Sequence, residues 1–185
     1  MKKTLLLILL TFTMRLAAAE EEIKLPFTED SGKYWQYISD RTMGGISNGK
    51  ATLEKDGEMF FARLSGNVST ENNGGFIQLR SSFSFANFEK DGKKIKGVRL
   101  NVRGNNETYH IFVRTNKTRS YRDYYSVTFI ANSNWKIIDL PFDQFKHRVS
   151  NNQDLQGNNI RTIGIVAYGR DFESDISIAE IILYY

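Results

Sequence analysis

A two-residue alternation of apolar and polar side chains constrains this chain most. Val98, Leu100 and Val102 alternate with Arg99, Asn101 and Arg103; Tyr109, Ile111 and Val113 alternate with His110, Phe112 and Arg114. Successive side chains of a strand point to opposite faces, so each triplet marks one face. Residues 59–64, 75–80, 124–130, 135–140, 161–168 and 175–184 are further predicted strands. Asp56-Gly57, Asn73-Gly74, Asp91-Gly92 and Gly104-Asn105 supply turn chemistry between them. No stretch sustains a 3.6-residue period. Many short strands with turn signals predict an all-β chain, a sandwich or barrel. The 13% aromatic content agrees. With 41% apolar residues, no cysteine and two prolines, disordered, collagen-like and disulfide-stapled classes are excluded. A length of 185 residues suits about one domain.

Residues 1–19 read as a secretory signal. Lys2 and Lys3 form a positive n-region, residues 5–12 an apolar core, and Ala17-Ala18-Ala19 a small-residue cleavage site. The apolar run is too short for a permanent membrane span. The expected location is secreted or periplasmic, with one domain over residues 20–185. The formal charge of +4 is then misleading. Removing Lys2, Lys3 and Arg15 from 25 basic residues leaves them nearly balanced by 21 acidic ones. That balance gives no reason to expect a nucleic-acid partner.

Several motifs read better as structure than as chemistry. Gly44-Gly45-Ile46-Ser47-Asn48-Gly49-Lys50 nearly spells a P-loop, but Ala51 stands where the magnesium-binding hydroxyl belongs. The following segment carries Asp56-Gly57 and looks like a hairpin. His110 and His147, the only histidines, lack the spacing of a zinc site. No cysteine or G-x-S-x-G elbow offers a nucleophile. Asp40 and Glu71 are the first pair to consider for glycoside chemistry, since such carboxylates pair in space rather than in sequence. Arg99, Arg103, Arg114, Arg119 and Arg122 fall close to Tyr121, Tyr124 and Tyr125; such a mixture suits a sugar, a phosphate or an acidic protein surface.

Two glycine-rich stretches carry more weight. One runs from Trp35 through Asp40, Arg41, Thr42, Met43, Gly44, Gly45 and Ile46 to Ser47. The other runs from Gly66 through Glu71, Asn72, Asn73, Gly74 and Gly75 to Phe76. Each double glycine permits positive φ or close backbone approach. Two roles are open: tight bends pinned by Asp40 and Glu71, or a pocket at one end of a sandwich. Their oxygen donors suit Ca²⁺ in kind, but no metal or other cofactor is expected.

These stretches resemble the complex I intermediate-associated protein 30 family. Asp40-Arg41-Thr42-Met43-Gly44-Gly45-Ile46-Ser47, then Asn72-Asn73-Gly74-Gly75-Phe76, carry the resemblance. Val102-Arg103-Gly104 with Tyr109 resembles the family's V-R-G…Y strand pair. Trp135, Leu140-Pro141-Phe142 and Phe145 resemble its W…LPF..F segment, and Phe172 with residues 176–184 its last strand. The resemblance implies a galactose-binding-like jelly roll of two antiparallel sheets. It also implies a non-catalytic assembly chaperone for respiratory complex I (NADH:ubiquinone oxidoreductase). A secreted member meets only the outer face of such a complex.

The expectation is therefore a binding domain for a protein partner, such as a respiratory-complex component, with a carbohydrate-binding module as the alternative. The expected contacts are Asp40, Arg41, Met43, Gly44, Gly45, Ser47, Glu71, Asn72, Asn73, Gly74, Gly75 and Phe76. For sugar, Trp35, Tyr121, Tyr124 and Tyr125 are the rings to examine.

Overall fold

The computed structural model describes residues 22–82, 94–150, 154–157 and 160–185. The Asp91-Gly92 turn and the signal segment lie outside them. The first sheet runs β3 (Asn48–Asp56), β4 (Met59–Val68), β12 (Phe172–Tyr184), β6 (Gly97–Gly104) and β9 (Lys136–Pro141). β1 (Glu22–Pro26) pairs with the C-terminal half of β12. The second sheet runs β10 (Lys146–His147), β8 (Tyr125–Ala131), β7 (Glu107–Thr115), β11 (Ile160–Tyr168), β5 (Phe76–Ser81) and β2 (Trp35–Ser39). All the pairings are antiparallel. The helical elements among the described residues are short 3₁₀ turns. The expected antiparallel sandwich is what forms.

The core follows from the alternation. Leu64, Leu100, Ile176, Ile178 and Ile181 of the first sheet meet Ile77, Tyr109, Ile111, Ile163 and Ile165 of the second, all fully buried. β12 shifts register against β6 between Ile178 and Glu180. The buried positions accordingly change from 176 and 178 to 181 and 183. A bulge inserts one residue and inverts the phase of a two-residue period.

Two local readings resolve here. Asn48, Gly49 and Lys50 open β3, which turns into β4 with Asp56 opposite Met59. The near P-loop is thus a strand and hairpin, without the helix that phosphate binding needs. β6 and β7, the expected strand pair, are consecutive but lie in different sheets. The Gly104 and Asn106 N–H groups donate to carbonyls of Asn132 and Ala131 (2.6 and 2.8 Å), which carries the chain across the sandwich edge.

Candidate functional site

Asp40 follows β2 and is completely buried. Its Oδ1 accepts the Ser47 N–H at 3.0 Å. Its Oδ2 accepts the Ser47 hydroxyl and the N–H groups of Gly75 and Phe76 at 2.6 and 3.1 Å. Burial alone would push this carboxyl up; the hydrogen bonds outweigh it and hold it below its ordinary value. One side chain therefore ties both glycine-rich stretches together. Glycine is required where it stands closest. A Cβ on Gly45 would lie 2.5 Å from Asp40 Oδ1, and one on Gly74 would lie 2.6 Å from Oδ2.

The expected contact residues consequently divide. Asp40, Gly45, Ser47 and Gly75 are buried, and the Asp40 oxygens face protein donors rather than a cleft. Asp40 is thus the pin of these bends, and it cannot flank a sugar bond together with Glu71. A carboxylate surrounded by N–H and O–H donors also has the wrong surroundings for a cation. Glu71 does not share the pin: it is exposed, and its carbonyl accepts the Gly74 N–H at 3.0 Å. Asn72 and Asn73 are exposed, with φ of 55° and 59°. Asparagine tolerates that left-handed conformation better than most residues. Arg41, Met43, Gly44 and Ile46 complete an exposed rim, with Met43 at 49% and Ile46 at 46% exposure.

Phe76 points the other way. It packs on the outer face of the second sheet with Phe112, Tyr124, Val166 and Tyr168. Phe112 and Tyr124 stack at 4.0 Å. Burial first, then the neighbouring Tyr168, raises the Tyr124 hydroxyl pKa well above its usual range. His110 joins this cluster edge-on to Phe112 and Tyr168, its pKa lowered by burial and by Arg170. Of the rings considered for sugar, Trp35 packs against the core beside Phe27, Tyr125 is buried in the core, and Tyr124 is buried in the outer cluster. Tyr121 is exposed, with Arg122 over its face.

A cleft of about 550 Å³ opens on the same outer face. Arg80, Arg114, Arg119 and Arg161 line it with Gln36, Thr162 and Tyr121. Ser39 pairs with Ile77 and Trp35 with Ser81, so the pinned loops and the cleft occupy opposite ends of β2 and β5. Sequence reasoning reached Arg114, Arg119 and Tyr121 but missed Arg80 and Arg161, which only strand pairing brings near. It also grouped Arg99 and Arg103 with them. Those two lie on β6 of the other sheet, beside Glu22 and Asp139 in one case and Asp56 in the other. His147 is buried: its Nε2 bonds Asp123 at 2.7 Å, and its Nδ1 accepts the Ser150 N–H at 2.9 Å.

The sequence profile of the complex I intermediate-associated protein 30 family matches residues 24–178. The chain belongs to that family. No curated protein matches it by sequence. Among solved structures, a family 11 carbohydrate-binding module of a cellulosomal cellulase from Clostridium thermocellum superposes with a TM-score of 0.68 at 16% identity. The match covers 90% of this chain and 95% of that one. The family 11 module from the same organism, solved with a β-1,3-1,4-mixed-linked tetrasaccharide, gives 0.67 at 15% identity, covering 90% and 96%. An exo-β-agarase gives 0.57 at 6% identity, covering 86% of this chain and 24% of the enzyme. At these identities the likeness shows a shared jelly-roll fold. No helix among the described residues is long and apolar enough to cross a membrane.

Proposed function

We propose that this member of the complex I intermediate-associated protein 30 family is a non-catalytic binding domain that holds a protein partner outside the cytoplasm. The partner is a respiratory-complex component under assembly. One observation carries the reading. Arg41, Met43 and Ile46 stand exposed on a rim whose backbone is fixed from beneath by the buried Asp40. A backbone already held in place loses little freedom on binding, and the apolar side chains it presents suit protein recognition. The secretory pattern of residues 1–19 supports the location. Crosslinking of the tagged protein in its own host, followed by mass spectrometry, tests this. The expected result is recovery of respiratory membrane proteins by the native chain and their loss from a Met43→Ser/Ile46→Ser variant. Recovery of nothing but the protein itself would overturn it.

A second reading, carbohydrate binding, is favoured by the polar cleft at the other end of the second sheet. Its volume lies within the roughly 300–1,000 Å³ usual for ligand sites. The shared fold with a module solved on a tetrasaccharide supports it by analogy. A glycan array carrying neutral and acidic oligosaccharides tests it, and a blank array would count against it.

A further inference from the structure

The cleft is built from like charges. Arg80 of β5, Arg114 of β7 and Arg161 of β11 enter it from three adjacent strands, and Arg119 from the loop after β7. No carboxylate among the described residues lines it. Among the described residues, no acidic side chain forms an ion pair with Arg80, Arg114 or Arg161. Asp123, whose charge acts on Arg114, is engaged with His147 and the Arg119 N–H. Burial, and after it the Arg80 charge, pulls the Arg114 pKa down to about 10; burial and Arg161 lower that of Arg80. The three guanidinium groups therefore repel one another in a partly desolvated site.

The strand geometry makes the cluster deliberate. β11 shifts register against β7 between Ile160 and Thr162. Ile160 and Ile163 are both fully buried, three residues apart, so the bulge leaves Arg161 and Thr162 together outside the core. Bulges often re-aim a side chain beside a functional site. Two polar atoms of the wall, Arg114 Nη1 and Thr162 Oγ1, are buried without a hydrogen-bond partner. Native folds leave few such groups, and each calls for an explanation.

We infer that the cleft of Arg80, Arg114 and Arg161 binds an oxyanion carried on a saccharide, a uronic acid carboxylate or a sulfate ester. The guanidinium fork matches either group with paired N–H donors. The remaining wall (Gln36, Thr118, Ser120 and Thr162 among it) offers amide and hydroxyl groups suited to sugar hydroxyls. Tyr121 supplies an exposed ring. An acidic peptide fits less well, because none of the described residues lining the cleft is an aliphatic side chain that could anchor one. The inference rests on the carbohydrate reading and specifies its ligand.

Calorimetric titration of the purified protein tests it with five probes: a galacturonic acid tetrasaccharide, a sulfated galactan tetrasaccharide, a neutral β-1,3-1,4-glucan tetrasaccharide, hexaglutamate and inorganic sulfate. At least one acidic saccharide is expected to bind about tenfold or more tighter than the neutral one, and more weakly as salt rises. The two acidic saccharides distinguish carboxylate from sulfate. Arg80→Gln, Arg114→Gln and Arg161→Gln should each weaken that binding about tenfold. Arg80→Gln and Arg161→Gln should leave the melting temperature of the free protein unchanged or higher, because repulsion is relieved. Arg114→Gln also gives up its bond to the Tyr121 carbonyl and its contact with the Tyr124 ring, so its binding is read against its own melting temperature. Neutral glucan binding as tightly as the acidic sugars overturns the oxyanion while sparing the carbohydrate reading. Absence of binding by all three sugars overturns both. Hexaglutamate or sulfate binding as well as the acidic sugars overturns the saccharide assignment. Variants that melt lower and bind unchanged overturn the role of the arginines.

Discussion

Asp40 and Gly75 lie 35 residues apart in sequence, and the buried Asp40 carboxylate accepts the Gly75 N–H at 2.6 Å. With the bonds from Ser47 and Phe76, it joins the end of β2 to the start of β5. Asp40→Ala should therefore act on stability first. It leaves three buried or half-buried backbone N–H groups without their acceptor, each worth about 1–3 kcal/mol. We expect a loss of at least about 3 kcal/mol, or roughly 6–12 °C for a domain of this size. Denaturant and thermal unfolding check this. A variant with unchanged melting temperature but lost partner recovery would return Asp40 to the binding role that the sequence suggested.

The nearest atoms to a Cβ at positions 45 and 74 belong to the Asp40 carboxylate, and this gives a coupled prediction. Gly45→Ala and Gly74→Ala each push a Cβ into the carboxylate. Each should cost about 1–3 kcal/mol, the usual range for overpacking. An Asp40→Ala background removes the carboxylate but keeps the residue 40 Cβ, 2.8 Å from the Gly45 position, and the Glu71 carbonyl, 3.0 Å from the Gly74 position, so the extra cost should shrink by about 1 kcal/mol without vanishing. A double-mutant cycle measures that coupling. Full additivity would mean that the glycines serve some other purpose.

The same carboxylate gives a pH signature. Its pKa is lower in the folded state than in the unfolded chain, where an aspartate titrates near 3.9. The stability it contributes is complete above the unfolded value and is lost as pH falls through the folded one. Urea unfolding between about pH 6 and pH 2.5 should show stability falling toward acid. Asp40→Asn, less stable at neutral pH, should show a shallower fall over that window. Parallel curves for the two proteins would contradict the assigned ionisation.

Much of this was legible in the sequence, and the limits are physical. Alternation found β6, β7 and an all-β sandwich or barrel, because burial on one face of a strand leaves a period of two; the two antiparallel sheets came from the family resemblance. The double glycines with Asp40 were visible as a unit, since only three kinds of residue are needed to spell a pinned bend. The role of Asp40 was not, because a buried carboxylate and an exposed one look alike in sequence. β1 and β2 were missed, being five residues each. The cleft was half legible. Arg114, Arg119 and Tyr121 are near in sequence, while Arg80 and Arg161 arrive through pairing of β5 and β7 with β11. The bulge at Arg161 breaks the alternation that would otherwise have placed it.

Exposure of the rim predicts a separation of binding from stability. Met43 and Ile46 are about half exposed. Replacing both with serine should change unfolding free energy by less than about 1 kcal/mol, as surface substitutions usually do. Circular dichroism melts check this in the same preparation used for crosslinking. A large loss of stability would mean that the rim is packing, and the partner experiment would then need a different variant.

Tyr109 joins the two sheets, and its hydroxyl can be removed alone. The ring is fully buried in β7, near Phe129 and Phe172. Its hydroxyl donates to Asn105 Oδ1 at 2.7 Å and accepts the Asp175 N–H of β12 at 2.9 Å. Asn105 in turn donates to the Glu173 carbonyl at 2.7 Å, so the turn after β6 is held against the start of β12. Tyr109→Phe keeps the ring and leaves the Asp175 N–H without its acceptor. The expected cost is about 1–3 kcal/mol, read from denaturant unfolding. Faster hydrogen exchange should be confined to the region of Asn105 and residues 173–175, because the ring still fills the core. A cost near zero would mean that the Asp175 N–H finds another partner once the hydroxyl is gone. Loosening across both sheets would mean that the hydroxyl, rather than the ring, sets the spacing of the sandwich at this end.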